Sequence, residues 1–364
     1  VNSRVKAIFS HTGDGVDAIA LVNSTEPHLD LCFFYATGLA SGVFEGSMAL
    51  LRRRGALEVV VPLLEEGIAR AARLNVTTYT TREEKPKVWA RKLRGVETLG
   101  FNASEITHRA FLELKSAARR ARLVDVGPAL REARLVKDAA ELRAMRRAAD
   151  IASRALEEVV ESMAPGRREH EVAADLNYAM QRRGASGPSF TTIVASGPNA
   201  ALPHHTPGDR RLRRGDFVVM DFGASYQRYA SDITRTVVVG RARREHREVY
   251  GTVHRAQEEA RSVAREGVLG RDVDRVAREI IDSSPYRGRF IHSVGHSLGL
   301  AVHDGAVLNS TSDLVLKRNM VFTVEPGIYL PGKGGVRIED DVVVRAKGGP
   351  EVMTSATREL LEVG

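Results

Sequence analysis

Cysteine is nearly absent: Cys32 is the single one in 364 residues, so no disulfide can form within the chain. It lies in the apolar run LCFFYA and reads as a small core residue. Aromatic residues are scarce, 5% with one tryptophan, and no block of lysine and arginine is interleaved with them. That argues against the stacking and phosphate contacts of nucleic-acid binders, so no nucleic-acid partner is expected. There is no secretory apolar segment and no run of 18 or more apolar residues, and the expectation is a soluble, cytoplasmic protein with no membrane partner. No motif recurs at a spacing of 20–50 residues, which sets aside solenoids and propellers.

What is present is ordinary globular material. Hydrophobic residues make up 43% and charged residues 27%, enough apolar surface for real cores. The net charge of +8 is spread along helices and interleaved with glutamate, as in residues 244–267, the pattern of a solvated helix face. A chain of 364 residues is long for one core, and two domains are expected.

The first, residues 1–130, alternates strand and helix patterns. DAIALVN, LCFFYAT, SMALLRR, LEVVVPL, VTTYTTR, ETLGFN and RLVDV read as strands; EEGIARAARL, PKVWARKLR and HRAFLELKSAARR read as helices. This predicts a smaller α/β domain, joined by GPALREARLVK (127–137) as a connection. The second, residues 137–364, opens with a long amphipathic helix stopped at Pro165-Gly166 and a second helix ending at Gly184. A strand FTTIVASG, a loop PNAALPHHTPGD, a hairpin, two helices (244–267 and 271–282) and a strand-rich final third follow. Helices followed by antiparallel strands predict α+β.

The hairpin FVVMDFGASYQRYASDITRT (217–236) places Asp221 and Asp232 where apolar side chains belong. A buried carboxylate costs several kcal/mol unless its charge is compensated, so two in one hairpin ask for a cation. Three more stretches carry polar groups in apolar or glycine-rich settings: SVGHSLGLAVHD with His296 and His303, VFTVEPGIYL with Glu325, and GVRIEDDVVV with Glu339. Proline holds Glu325 extended, and strand alternation puts Arg337 on the face of Glu339. Four carboxylates converging at about 4 Å would repel by roughly 4 kcal/mol per pair at an effective dielectric near 20, which one arginine does not offset. Two divalent cations would. Four carboxylates and one histidine suit Mn, Co or Fe(II), with Zn possible.

In this order the motifs DFGASYQRYASDITRT, GHSLGLAVHD, TVEPGIY and RIEDDVVV resemble the pita-bread metallopeptidases, most closely the Xaa-Pro dipeptidase (prolidase) and Xaa-Pro aminopeptidase branch. The resemblance implies a pita-bread catalytic domain, helices packed on a curved antiparallel sheet, behind an α/β amino-terminal domain. It implies that Asp221, Asp232, His296, Glu325 and Glu339 hold two divalent metal ions. His204 matches a substrate-facing histidine, His303 one that contacts substrate and the tetrahedral intermediate, and Arg337 an arginine close to the ligands; His205 has no match. The implied reaction is hydrolysis of small peptides with proline in second position, by a bridging hydroxide, with Glu325 moving the proton. A homodimer is implied too. The chain departs from the pattern after His303, where Asp304-Gly305-Ala306-Val307 lacks a basic residue to hold a dipeptide's carboxylate. An aminopeptidase acting on longer peptides therefore stays open.

Two other classes compete. GHSLG fits the G-x-S-x-G elbow of serine hydrolases, but no histidine follows His303, only six residues past Ser297. A binding module of the same fold, for a protein or nucleic acid, would be marked by lost ligands, and all five positions are filled.

Overall fold

The computed structural model describes residues 3–364. The chain divides into two units at Arg134 and Leu135. In the first, short β-branched runs alternate with helices: α1 (Ser3–Ser10), β1 (Ala18–Val22), α2 (Leu31–Thr37), β2 (Met48–Arg52), β3 (Ala56–Pro62), α3 (Glu66–Ala71), β4 (Asn75–Tyr79), α4 (Glu84–Lys92), β5 (Thr98–Phe101), α5 (His108–Ala117), β6 (Arg122–Asp125) and α6 (Gly127–Leu135). The strands form one sheet in the order β4-β3-β2-β1-β5-β6. Trp89, Leu99 and Leu114 pack with Met48 and Leu50 against one of its faces.

Two sequence expectations fail here. LCFFYAT is helix α2, not a strand. An unbroken apolar run has no period to read, and the decision falls to its ends: the Asp30 carboxylate accepts the Cys32 N–H at 2.8 Å, and Gly38, at φ 71°, closes the helix. GPALREARL is helix α6, not a connection. Proline in a first turn gives up an N–H that has no helical partner anyway, so Pro128 begins the helix instead of breaking it.

The second unit comprises α7 (Ala139–Glu161), α8 (Glu169–Arg182), β7 (Gly187–Pro188), β8 (Ile193–Ser196), a 3₁₀ turn Gly197–Ala201, β9 (Phe217–Phe222), β10 (Ala224–Tyr226), β11 (Tyr229–Ala230) and β12 (Ile233–Val239). Then come α9 (Arg244–Val263), α10 (Gly270–Asp282), β13 (Gly295–His296), β14 (Val307–Leu308), β15 (Val321–Val324), β16 (Gly327–Leu330), β17 (Gly334–Arg337), β18 (Asp340–Val343), β19 (Glu351–Val352) and β20 (Leu361–Val363). Asp138 and Glu141 close a reciprocal cap on α7.

The central sheet runs β20-β12-β9-β8, and strand alternation divides its side chains between two helix layers. Val218, Met220 and Phe222 of β9, with Ile233, Val237 and Val239 of β12, pack with α7 and α8. Phe217, Val219 and Val238 pack with α9 and α10. This is the α+β arrangement expected. The alternation also decides where the two aspartates go: Asp221 continues the face of Phe217 and Val219, and Asp232 that of Val238.

Candidate metal centre

The register of β9 on β12 sets Thr234 opposite Asp221, with Asp232 one step along the same face. Glu325 follows β15 on the face of Thr323, whose hydroxyl lies 3.3 Å from Glu325 Oε1. His296 enters on β13. A Cβ on Gly295 would lie 1.9 Å from the Thr323 carbonyl oxygen, so only glycine lets β13 come this close. The His296 N–H donates to Thr323 Oγ1 at 3.0 Å. Glu339 stands in the link from β17 to β18 and accepts from the Thr234 hydroxyl at 2.6 Å.

These segments converge. Ligand atoms of Asp232, His296 and Glu339 all lie within 4.8 Å of one another, and all three residues are buried. His296 Nε2 is 3.6 Å from Asp232 Oδ2 and 3.4 Å from Glu325 Oε1. Its Nδ1 faces the Ser297 carbonyl at 3.3 Å, the contact that keeps the proton there and turns the Nε2 lone pair toward the carboxylates. Burial, with His303 beside it, pushes the His296 pKa down to about 4, leaving the ring neutral and able to coordinate.

The carboxylates are frustrated as they stand. Burial, with Glu339 and Asp221 adding to it, raises Asp232 well above the usual range. Burial, Glu325 and Asp221 raise Glu339 likewise. Glu325 is pushed up to about 8 by burial, Asp221 adding to it and Arg337 opposing. Among the described residues, Asp221 Oδ1 and Asp232 Oδ1 are buried without a hydrogen-bond partner. Unsatisfied carboxylate oxygens, like charges and one inward imidazole lone pair fit a hard divalent cation.

Arg337 is the cationic side of the wall. It pairs with Asp221, donates from Nε to Thr234 Oγ1 at 3.1 Å and from Nη1 to Tyr329 Oη at 2.8 Å. Tyr329 in turn meets His292 Nε2 at 2.8 Å, while His292 Nδ1 faces the Ser293 carbonyl at 2.8 Å. Burial first, then Arg337, pushes His292 down to about 4. His292 Nδ1 lies 4.0 Å from Glu325 Oε2. Asp274 and Arg278 of α10 hold this segment: Asp274 accepts the Val294 N–H at 3.0 Å, and Arg278 donates to the carbonyls of Phe290 and His292, each at 2.9 Å.

Asp232, His296, Glu325, Glu339, Asp221 and Arg337 are thus brought to one wall. His303 is exposed, its ring against His296 with centroids 4.3 Å apart. His204 is exposed, near enough that its charge helps lower His292. Sequence reasoning missed His292, Tyr329 and Thr234. Tyr329 shares the face of Glu325 by strand alternation, which is a usable signal; nothing local marks His292. Ser297 is buried, and its hydroxyl accepts the Ala306 N–H at 2.9 Å, a backbone contact and not a bond to a general base.

The profile of "Metallopeptidase family M24" matches residues 143–346, and that of the "Creatinase/Prolidase N-terminal domain" residues 13–136. A Xaa-Pro dipeptidase of Pyrococcus furiosus is 38% identical over 302 residues, 83% of this chain and 85% of the relative. One of Pyrococcus horikoshii is 36% identical over 363 residues, 99% of each. Among solved structures, a Xaa-Pro dipeptidase from Bacillus anthracis superposes with a TM-score of 0.91 at 32% identity, covering 99% of both chains. An X-Pro aminopeptidase from Thermotoga maritima gives 0.90 at 35%, covering 96% of this chain and 98% of that one.

Proposed function

Because the chain belongs to metallopeptidase family M24, we propose that it is a metal-dependent exopeptidase that hydrolyses the bond between an amino-terminal residue and proline. The observation that carries this reading is the buried convergence of Asp232, His296 and Glu339, with Asp221 and Glu325 on the same wall. We assign the five as ligands of two divalent ions, Mn or Co on the strength of the carboxylate-rich set, with Zn or Fe as substitutes. When bound, such a pair polarises the scissile carbonyl and makes water acidic enough to ionise near neutral pH.

The chain's own groups supply the rest. Glu325, placed against His296, takes a proton from the attacking water and returns it to the proline nitrogen as the C–N bond breaks. We assign to His303 or His204 the hydrogen bond to the substrate carbonyl as its oxygen gains charge; both are exposed, and the His303 ring lies against His296. Arg337 neutralises Asp221 and fixes Tyr329. We place the protein in the cytoplasm as a homodimer. The described residues contain no helix long and apolar enough to cross a membrane, and the dimer is what the sequence resemblance implies.

A second reading is an aminopeptidase acting on longer peptides. Asp304, following His303, is buried and bonded to Lys137 at 3.2 Å, and Val307 is partly exposed with no cation to offer a dipeptide's carboxylate. The test is release of the amino-terminal residue from Xaa-Pro and from Xaa-Pro-Yaa, by chelator-stripped protein reloaded with manganese. Cleavage of the dipeptide alone makes it a dipeptidase; preference for the tripeptide makes it an aminopeptidase. Asp232→Ala or Glu339→Ala is expected to abolish tight manganese binding and cleavage together, and full activity in either would refute the two-ion reading.

A further inference from the structure

Glu169 and His205 lie outside every role assigned above. Glu169 opens α8 and is fully buried, a placement a carboxylate tolerates only when its oxygens are filled. They are filled by five donors: Ser196 N at 2.8 Å, Ser196 Oγ at 2.8 Å, Asn199 Nδ2 at 3.0 Å, His205 Nε2 at 2.8 Å and Gly208 N at 3.2 Å. Burial raises its pKa, but the bonds from His205, Asn199 and Ser196 outweigh this and hold the carboxyl below the usual range.

All five donors come from one stretch, residues 196–208, and that stretch contains His204. Its first turn, Gly197–Ala201, lies on the β16–β17 hairpin that carries Tyr329 and Arg337. A Cβ on Gly335 would sit 2.2 Å from the Ala200 carbonyl oxygen, and one on Gly334 would sit 3.2 Å from that of Gly197. The backbone of the stretch is therefore seated on the wall of the site. At its far end His205 turns inward to Glu169 while the adjacent His204 is exposed. An alternation of one inward and one outward histidine holds only while the inward one is anchored.

We propose that Glu169 and His205 are positioning residues: a buried carboxylate–imidazole pair that fixes residues 196–208 so that His204 is presented to the peptide, without touching substrate or metal. The proposal rests on the peptidase reading and deepens it at the substrate side.

The experiment compares His204→Ala, His205→Ala, the double variant, His205→Gln and Glu169→Gln in the full chain. It reads kcat and KM on an Xaa-Pro peptide, manganese affinity by calorimetry, and amide hydrogen exchange of residues 196–208. His205→Ala is expected to lower kcat/KM about tenfold or more, to leave manganese affinity within about twofold, and to speed exchange in the segment. His205→Gln, which keeps an N–H for Glu169, is expected to recover most of the loss. In the double variant the loss should be no greater than in His204→Ala alone. Additive losses, unchanged exchange, or manganese affinity falling in step with activity would each overturn the proposal. Inactivity of the unaltered protein on both peptides would refute the peptidase reading instead, and exchange in the His205→Ala and Glu169→Gln variants would still decide whether the pair anchors the segment.

Discussion

Asp340 offers the sharpest test of what holds the site's wall in place. It is fully buried next to Glu339. Oδ1 accepts from Arg235 Nη2 and Thr354 Oγ1, each at 2.7 Å, and Oδ2 accepts from Gln257 at 2.8 Å and from Arg358. Arg235, itself buried, also donates to the carbonyls of Thr234, Glu339, Ala356 and Thr357. Asp340, paired with both Arg235 and Arg358 and bonded to Gln257, thus ties β12, β18, α9 and the carboxy-terminal segment together. The perturbation is Asp340→Asn, which keeps the volume and removes the charge.

Breaking a buried pair from one side costs about 3–5 kcal/mol, because the remaining charge stays buried. The depressed pKa of Asp340 gives a second figure. Burial raises the Asp340 pKa, but Arg235 and Arg358 outweigh it and bring it from 3.8 down to about 2, which corresponds to about 2.5 kcal/mol. A depressed carboxylate contributes stability above its unfolded pKa and loses it as pH falls through the folded one. The deficit of the variant should therefore be full at pH 7 and shrink between about pH 4 and pH 2. At about 2–4 °C per kcal/mol for a unit of this size, Tm falls by about 6–20 °C at pH 7. Thermal and urea unfolding followed by circular dichroism measures both quantities. Adding Arg235→Met to Asp340→Leu should not recover the loss, because the carbonyls of Thr234, Glu339, Ala356 and Thr357 lose their donor and Arg358 loses its carboxylate. A deficit below about 1 kcal/mol at pH 7, or one that does not change on acidification, would refute the reasoning.

Thr234→Val is expected to weaken manganese binding about 10- to 100-fold, because its hydroxyl both donates to Glu339 and accepts from Arg337. Thr234→Ser should not, and equal calorimetric affinities for Val and Thr would mean that the hydroxyl orients nothing. Ser297→Ala should cost about 1 kcal/mol in urea unfolding for the lost Ala306 bond. Its peptidase activity should stay within a few-fold, and complete inactivation would return a serine nucleophile to consideration.

Much of the candidate site was legible because strands report facing in their sequence. By period alone Asp221, two places beyond Val219, takes that residue's face, and Asp232, two before Thr234, takes the face of Thr234; the register of β9 on β12 makes these one face. Glu325 was held extended by Pro326, and Arg337 and Glu339 share a face because one residue lies between them. The misread elements lacked such a period: LCFFYAT is apolar throughout, and Gly127-Pro128 looks like a break until the turn it begins is seen. The run Glu339-Asp340-Asp341 has the composition of a surface patch, yet Asp340 and Asp341 are fully buried.

By itself the sequence determined the strands that carry the candidate ligands, their facing, the order of the motifs and, through them, the family. Those are local properties, set by alternation, turn chemistry and residue type within a few positions. Only the tertiary structure decided the pairings: Arg337 with Asp221 across 116 residues, His205 with Glu169 across 36, and Arg235 with Asp340 across 105. An arginine or glutamate in a sequence carries no mark of which distant charge it will meet. That choice is made when burial strips both of water and leaves each other as the remaining partner.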